Sequence, residues 1–338
     1  MSNNKLLPVG KLELNFLNYL LEKYPTVNER VIVGARVGVD AAVIDFGNTY
    51  LIAKTDPITF VTQEIGFYTI HINANDIACM GGTPRWFLAT LLLPEEMTTA
   101  SLVEEIFSQL STACRQLDIA FCGGHTEVTY GINRPIVIGQ MLGEVEKDRL
   151  ITAAGAQPGD DVLLTKGIAI EATSIIAREK AAELAEVYSQ DLVERCQRFI
   201  QQPGISVLKE ARIASETGAV HAMHDPTEGG LATGLYELAH AANVGLEIDE
   251  RKINILPESK LLCDHYGLDP LGAIASGALI ITLPPRQTPP LINQLEKENI
   301  SVSLIGKVVP AQMGIKLVTD KGKQDLPVFA RDEIVKLF

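Results

Sequence analysis

The sequence predicts an α/β protein with two domains of similar size, and three observations support this. Its 338 residues are more than one compact unit usually holds. Hydrophobic residues make up 46% and charged residues 21%, the balance of a globular protein with a sizeable core. Helix-like and strand-like segments alternate on both sides of a turn-rich stretch at 153–160. We therefore expect one domain over 1–150 and a second over 151–338.

Hydrophobic periodicity predicts the elements of the first half. Leucines at helical spacing predict an amphipathic helix over 12–24, and Gly81-Gly82 ends a second helix over 65–80. Short apolar or β-branched runs between Gly-containing turns predict strands. The predicted order is helix 12–24, strands 31–33, 41–46 and 50–55, helix 65–80, strand 86–93, helix 101–117 and strand 135–145.

The second half alternates in the same way and shows no short-period repeat. The predicted order is strand 161–165, helices 169–178 and 190–201, strand 219–223, helix 230–242, strand 244–248, and strands near 278–283 and 301–308 with a helix between them. Each half can therefore bury one face of its own sheet.

Charge and hydropathy exclude several classes of protein. The formal net charge of −13 and the lack of a basic run argue against nucleic acid as a partner. Nucleotide phosphates can still be held by metal ions and backbone N–H groups. Residues 1–10 show no signal-peptide pattern, and the longest apolar stretch, at 87–93, is too short to span a bilayer. We expect a cytoplasmic protein with no membrane partner.

Three aspartates at the ends of apolar runs are candidate metal ligands. They are Asp40, Asp56 and Asp76. Carboxylates at strand and helix ends can converge on Mg²⁺ and hold it against phosphate oxygens. The alternative is that each aspartate only caps a helix or turn.

A second candidate site is the segment CGGHTE at 122–127. Paired glycines let the backbone approach a ligand closely, and the N–H groups of Gly123 and Gly124 can face an anion. His125 and Glu127 are candidates for proton transfer or metal binding. The alternatives are that the glycines form an ordinary turn and that His125 and Glu127 are structural.

A third candidate is the segment HDPTEGG at 224–230, which precedes a predicted helix. Gly229 and Gly230 at the helix N-terminus would offer N–H donors to phosphate. His224, next to Asp225, could act as a general base or be a satisfied loop histidine. The sequence contains no Walker loop, Rossmann glycine motif or nucleophile elbow, so the common nucleotide and hydrolase scaffolds fit poorly.

In order and spacing, these segments resemble the AIR synthase superfamily, and most closely its HypE branch. The clearest match is DPTEGGLAT at 225–233, followed by YELA at 236–239. VDAAV at 39–43, TD at 55–56 and NDIACMG at 75–81 match the acidic motifs of the first domain, and GAQPGD at 155–160 matches the start of the second. The resemblance spans nearly the whole chain.

The resemblance implies a specific fold and chemistry. An N-terminal α/β domain would pair its sheet with a second subunit in a barrel-like homodimer, and a C-terminal α/β domain would follow. ATP would lie near the subunit interface with Mg²⁺ on the aspartates, and Asn75, Thr126 and Asp225 would join the nucleotide-binding residues. Phosphoryl transfer from ATP would activate an amide-like or phosphate-accepting oxygen.

Several positions depart from the HypE pattern. Val39 replaces the first aspartate of the usual GDD triplet, His125 replaces the aspartate of GDT, and Ser276 lies where HypE has an acidic residue. The sequence ends EIVKLF at 333–338 instead of Pro-Arg-Ile-Cys, so we expect no carboxamide carried on its own tail.

Three functions stay open from the sequence. The first is an ATP-dependent enzyme acting on a small or protein-borne acceptor. The second is a HypE-type hydrogenase maturation protein that works in complex with a partner, and the third is an inactive ATP-binding regulator.

Overall fold

The computed structural model describes residues 6–7 and 10–338 of the chain. Residues 1–5 and 8–9 lie outside this range, and they carry most of the segment on which the absence of a signal peptide was predicted. In the part of the chain that is described, no helix has both the length and the apolar character needed to cross a membrane.

The first half forms a six-stranded sheet with three helices. Its strand order is β1-β2-β3-β6-β4-β5, and all neighbours are antiparallel except the parallel pair β4 and β5. The elements are α1 (Leu14–Lys23), β1 (Val31–Val33), β2 (Ala42–Asp45), β3 (Thr49–Ile58), α2 (Ile65–Cys79), β4 (Thr83–Pro94), α3 (Ala100–Gln116), β5 (Ala120–Thr129) and β6 (Ile136–Glu146).

The second half forms a seven-stranded sheet of order β13-β12-β9-β11-β7-β10-β8. Its neighbours are antiparallel except for β9 and β12, which are parallel. The elements are β7 (Asp161–Thr165), α4 (Ile170–Glu179), α5 (Ala181–Val187), α6 (Gln190–Gln197), α7 (Leu208–Glu216), β8 (Ala222–His224), α8 (Gly230–Ala242), β9 (Gly245–Asp249), α9 (Pro257–Tyr266), β10 (Ile280–Leu283), α10 (Thr288–Lys297), β11 (Val302–Val309), β12 (Ile315–Thr319) and β13 (Gly322–Asp325).

The structure differs from the sequence prediction most clearly at 122–127. The sequence left this segment open as a ligand-binding glycine pair or an ordinary turn, but it lies within the ten-residue strand β5. Gly123 and Gly124 continue the strand with φ of 130° and 148°. A Cβ at Gly124 would lie 1.8 Å from the carbonyl oxygen of Ala89, so the glycine is needed for close pairing with β4. Periodicity also missed α5, α7, α9, β12 and β13, which are short.

Helix α2 is the central element of the molecule. All its residues except Phe67 are buried, because the helix packs on the first sheet, on α3 and on the second half. The Asn73 side chain accepts from the backbone N–H of Asp56 at 3.0 Å. The Asn75 amide donates to the carbonyl of Ile205 and accepts from the N–H of Val207, both at 2.9 Å. Two asparagines thus fix α2 to β3 on one side and to the segment before α7 on the other.

His71 on α2 is a buried residue whose charge affects stability. Its ring packs against that of Phe67, tilted by 39° with centroids 4.1 Å apart, and neither ring nitrogen has a hydrogen-bond partner among residues 6–7 and 10–338. Burial, helped by the positive charge of Lys166, lowers the pKa of His71 from 6.5 to about 4. A depressed histidine pKa stabilises the fold above pH 6.5, and this contribution is lost as pH falls toward 4.

We predict that replacing His71 weakens the acid sensitivity of the fold. Between pH 7 and pH 5 the pKa difference should lower the free energy of unfolding of the wild type by about 2 kcal/mol through this residue alone. Denaturant unfolding at both pH values should show that His71→Leu loses less stability than wild type by that amount. His240→Gln, at an exposed position on α8, should keep the wild-type difference. Equal pH dependence in wild type and His71→Leu would contradict the assignment.

Candidate active site

Strand β3 and helix α2 bring the first acidic residues of the site together. Lys54 and Asp56 are two residues apart on β3, so both side chains point to the same face of the sheet. Lys54 Nζ lies 3.2 Å from Asp56 Oδ2 and 3.1 Å from Asp76 Oδ1 on α2. Asp76 is buried, whereas the Asp56 side chain is 35% exposed. The lysine therefore links a half-buried carboxylate to a buried one.

Asp40 and Asp225 complete a cluster of three buried carboxylates with Asp76. One carboxylate oxygen from each residue lies within 4.8 Å of the other two. Asp40 precedes β2, and Asp225 follows β8, so the cluster joins both halves of the chain. Cys79 Sγ donates to Asp225 Oδ1 at 3.3 Å. Asp225, which the sequence analysis did not list as a metal ligand, thus belongs to the cluster, and Asp56 lines the same cavity.

The electrostatics of this cluster suit a hard divalent cation. The Oδ2 atoms of Asp76 and Asp225 are buried and have no hydrogen-bond partner within the described residues. Burial, with repulsion from Asp40, raises the pKa of Asp225 to about 7. Burial also raises the pKa of Asp76, although Lys54 opposes this shift. Three carboxylates near one lysine leave excess negative charge, and carboxylate oxygens are the ligands that Mg²⁺ and Ca²⁺ prefer.

His224 is held between two carboxylates. Its Nδ1 lies 2.6 Å from Asp40 Oδ1 and its Nε2 lies 3.0 Å from Glu237 Oε2. Because an ionised carboxylate only accepts, both ring nitrogens donate and the ring is an imidazolium. Burial disfavours this charge, but Asp40 and Glu237 together raise the pKa of His224 well above its usual value. In this arrangement neither nitrogen is free to accept a proton from a substrate.

Two adjoining cavities open at the cluster. The smaller, of about 290 Å³, contains Asp40, Asp76 and Asp225. The larger, of about 730 Å³, is lined mainly by apolar side chains from β3, α2, α4 and the C-terminal segment. Lys11, Asp56 and Thr227 line both cavities, so a ligand can extend from one into the other. The larger volume lies within the range of small-molecule sites.

The glycines before α8 have structural partners in this arrangement. Gly229 and Gly230 adopt φ of 84° and 66°, which favours glycine. The N–H of Gly229 donates to Asp332 Oδ2 at 2.6 Å, and that of Gly230 donates to the carbonyl of Thr227 at 3.0 Å. Both N–H groups therefore already donate to acceptors within the chain, whereas the sequence analysis expected them to be free for a phosphate.

The predicted residues on β5 lie away from the carboxylates of the same chain. Strand β5 forms an edge of the sheet, three strand steps or about 14 Å from β3. Gly123, Gly124 and Thr126 are exposed there. His125 and Glu127 are 64% and 47% exposed, and His125 Nε2 lies 3.0 Å from Glu127 Oε2. Any role of these five residues at a carboxylate cluster would require a second subunit.

Comparison with known families identifies the fold. The N-terminal domain of AIR synthase related proteins matches residues 38–145, and the C-terminal domain of the same proteins matches residues 157–317. The chain belongs to the AIR synthase related family. The family and the two-domain α/β fold predicted from the motifs are therefore confirmed.

Relatives of the chain include hydrogenase maturation proteins. A protein of Methanocaldococcus jannaschii named for hydrogenase expression and formation is 26% identical over 298 residues, covering 86% of this chain and 85% of that protein. Carbamoyl dehydratase HypE of Cupriavidus necator is 31% identical over 232 residues, with 66% and 61% covered. Selenide, water dikinase of Nitratidesulfovibrio vulgaris is 28% identical over 323 residues, with 91% and 87% covered.

Solved structures share the fold of this AIR synthase related chain. Hydrogenase maturation protein HypE in complex with ATP superimposes with a TM-score of 0.72 at 21% identity, covering 92% of each chain. AaThiL in complex with AMPPCP and TMP gives a TM-score of 0.75 at 20% identity, covering 97% and 98%. A HypE–HypF complex gives 0.74 at 20% identity, covering 93% and 99%.

Sequence reasoning missed several residues of the site. Lys54 had a usable signal, because residues two apart on a strand share a face and Asp56 was already selected. Asp225 as a partner of Asp40 and Asp76, and Glu237 as a partner of His224, had no local signal. Asp225 lies 185 positions from Asp40 and 149 from Asp76, separations that no short motif spans.

We predict that Mg²⁺ stabilises the protein through the three carboxylates. Added Mg²⁺ should raise the Tm of wild type, because a ligand that binds only the folded state stabilises it. Asp225→Asn should lower Mg²⁺ affinity by more than about tenfold. Without Mg²⁺ the same variant should be at least as stable as wild type, because it removes one uncompensated buried charge.

The control is Asp320→Asn, at an 86% exposed position, which should keep the full effect of Mg²⁺. Thermal unfolding with and without Mg²⁺ measures both properties. An equal rise in Tm for wild type and Asp225→Asn would contradict the assignment.

Proposed function

We propose that this chain is an ATP-dependent enzyme that transfers the terminal phosphoryl group of Mg-ATP to an amide-like or phosphate-accepting oxygen. The observation that carries the proposal is the cluster of Asp40, Asp76 and Asp225, with its unpaired buried oxygens, at the junction of two cavities. Family membership supports it, as do relatives named carbamoyl dehydratase and selenide, water dikinase. An intact carboxylate cluster disfavours the inactive regulator.

Each group near the cluster has a defined role in this proposal. Asp40, Asp76 and Asp225 would hold Mg²⁺, which neutralises phosphate charge when bound. Lys54 keeps Asp56 and Asp76 in place through its two ion pairs. Lys11, whose Nζ lies 3.3 Å from Thr227 Oγ1, adds positive charge at the entrance shared by the two cavities.

His224 has a positioning role in this scheme. Its two charged hydrogen bonds fix Asp40 relative to α8. The reaction itself needs little covalent help from the protein. The acceptor oxygen bonds to the γ-phosphorus, the bond to the β–γ bridging oxygen breaks, and ADP leaves with the electron pair. Catalysis then depends on alignment of the two reactants and on charge neutralisation.

A narrower candidate is a HypE-type maturation protein that works with another protein. Two relatives are named for hydrogenase expression or as carbamoyl dehydratase HypE, and one structure of the same fold is a HypE–HypF complex. In that case the acceptor oxygen would belong to a group carried by the partner. Copurification with a carbamoyl-transferring protein, followed by ATP consumption only in the complex, distinguishes this candidate from an enzyme for a small molecule.

The proposed enzyme would be a homodimer. Strand β5 leaves its outer edge exposed along ten residues, and exposed apolar side chains lie near it, including Trp86, Phe107, Val128 and Tyr130. An edge strand of this length favours pairing with another strand. Pairing of two first sheets would bring His125 and Glu127 of one subunit toward the site of the other.

We predict that Asp76→Asn strongly weakens Mg²⁺-dependent ATP binding while the protein stays folded. Isothermal titration calorimetry with ATP and AMPPCP, with and without Mg²⁺, measures this directly. Loss of one anionic ligand should weaken binding more than about tenfold. Asp320→Asn serves as the matched control and should bind as wild type does. Unchanged affinity in Asp76→Asn would exclude the carboxylate from the nucleotide site.

We predict that a charge on β5 separates the dimer. Val128→Lys places a cation on the 57% exposed side chain of the edge strand, and sedimentation velocity should then show a monomer. Val328→Lys, at a 76% exposed position outside both sheets, should stay dimeric. The rate of ATP turnover should fall in Val128→Lys and stay at the wild-type value in Val328→Lys. A wild type that is already monomeric at micromolar concentration would exclude the dimer.

A further inference from the structure

Lys54 lies between two carboxylates in the manner of a bound cation. Its Nζ is 3.2 Å from Asp56 Oδ2 and 3.1 Å from Asp76 Oδ1, so the ammonium bridges the two side chains. The Lys54 side chain is only 18% exposed, and all three residues line the smaller cavity. A divalent cation held by the same two carboxylates would have these neighbours and the same sign of charge.

The fold fixes the lysine in this position. Strand β3 pairs with β2 on one side and with β6 on the other, so its backbone cannot shift without breaking two sets of hydrogen bonds. Residues two apart on a strand share a face, and Lys54 therefore reaches the cavity beside Asp56. The backbone N–H of Asp56 also donates to the Asn73 side chain on α2 at 3.0 Å. The ammonium is thus part of the folded framework of the site.

The other charges at the cluster leave one carboxylate without an ionic partner. Asp40 pairs with His224 at 2.6 Å, and the two acids on either side of Lys54 share its ammonium. Asp225 forms no ion pair within the part of the chain that the structure describes. Its Oδ1 accepts from the Cys79 thiol and its Oδ2 accepts no hydrogen bond there. The charge left to be neutralised therefore lies at the cluster of three buried carboxylates.

We propose that the Lys54 ammonium takes the place of a second metal ion, so that each chain binds a single divalent cation at that cluster. The inference rests on the proposed function, in which this cation is Mg²⁺. Many enzymes that act on phosphates hold two divalent ions about 3.5–4 Å apart. Here a second ion would need the oxygens of Asp56 and Asp76 that Lys54 already occupies, and the ammonium would repel it. Asp56 is then a partner of the lysine and not a metal ligand.

The substitution gives Lys54 a positioning role. An ammonium neutralises charge and donates hydrogen bonds, but unlike a metal ion it does not act as a Lewis acid on a bound oxygen. It is also part of the chain and cannot dissociate. In the proposed function Lys54 would hold Asp76 toward the single Mg²⁺ and supply fixed positive charge beside it.

Metal stoichiometry tests this inference without knowledge of the acceptor. Mn²⁺ alone is the probe, because it favours the same oxygen ligands as Mg²⁺ and electron paramagnetic resonance counts its free and bound forms. Salt at about 0.15 M screens weak binding to exposed acidic side chains. Wild type should bind one Mn²⁺ per chain. Lys54→Met, of similar length and without charge, should bind two, and ions about 4 Å apart should show an exchange coupling that a single ion lacks.

Three further variants serve as controls. Lys54→Arg keeps the positive charge and should bind one Mn²⁺. Lys54→Met combined with Asp56→Asn should also bind one, because the new site would lack a carboxylate. Lys260→Met, at a 63% exposed position on α9, should behave as wild type does. Thermal unfolding of each variant confirms that the fold is intact.

A second measurement does not depend on the folding of Lys54→Met. Asp56→Asn in the wild-type background should still bind one Mn²⁺, with an affinity within about threefold of wild type, the effect of a partly exposed ion pair. Asp225→Asn should lower the affinity by more than about tenfold, because it removes a ligand. A loss as large in Asp56→Asn would make Asp56 a metal ligand and overturn the inference.

The outcomes separate this inference from the proposed function. Two Mn²⁺ per chain in wild type, or only one in a folded Lys54→Met, overturns the inference and leaves the proposed function in place. One Mn²⁺ in a wild type that binds no ATP overturns the proposed function. A wild type that binds Mn²⁺ neither alone nor with AMPPCP overturns both. One ion in wild type and two coupled ions in Lys54→Met support the inference.

Discussion

The imidazolium of His224 lies between two carboxylates, of which Asp40 is 184 positions away in sequence and Glu237 is 13. Asp40 comes from the loop before β2 in the first half of the chain, and Glu237 comes from α8 in the second. The side chains of His224, Asp40 and Glu237 are 6%, 6% and 12% exposed. Breaking either contact would therefore leave an unpaired charge in a region of low dielectric constant. This interaction holds Asp40 in the cluster, where Lys54 holds Asp76 and Cys79 donates to Asp225.

The same buried charges lower the stability of the fold. A core of aliphatic side chains would be more stable than three buried carboxylates, one lysine and one imidazolium. The raised pKa values of Asp76 and Asp225 express this destabilisation, which a divalent cation would relieve. Elsewhere the two sheets follow ordinary packing rules. Proteins often place charged side chains at functional sites in positions that lower their stability.

The geometry also explains why one compact cleft can serve a nucleotide and an acceptor. The cluster lies where α2, between the two sheets, meets the loop after β8, and Asn75 fixes α2 to the second half through two hydrogen bonds. Charge concentrates in the small cavity and apolar surface in the large one. In the proposed function, phosphate chemistry and binding of the apolar part of a ligand would use separate walls of the same space. Membership of the AIR synthase related family is consistent with this division.

The sequence by itself determined the α/β class, the family, most long elements and the acidic segments, because these depend on local periodicity and short motifs. It could not determine that β5 is a strand, since paired glycines usually break strands and only the approach of Ala89 explains Gly124. Nor could it select Asp225 over Asp56 for the cluster, or show that both nitrogens of His224 are engaged. Those facts depend on contacts within each half and between the two halves. Only the tertiary structure decided them, because residues such as Ala89 and Gly124, or Asp40 and Asp225, come together only after the sheets have formed and packed on α2.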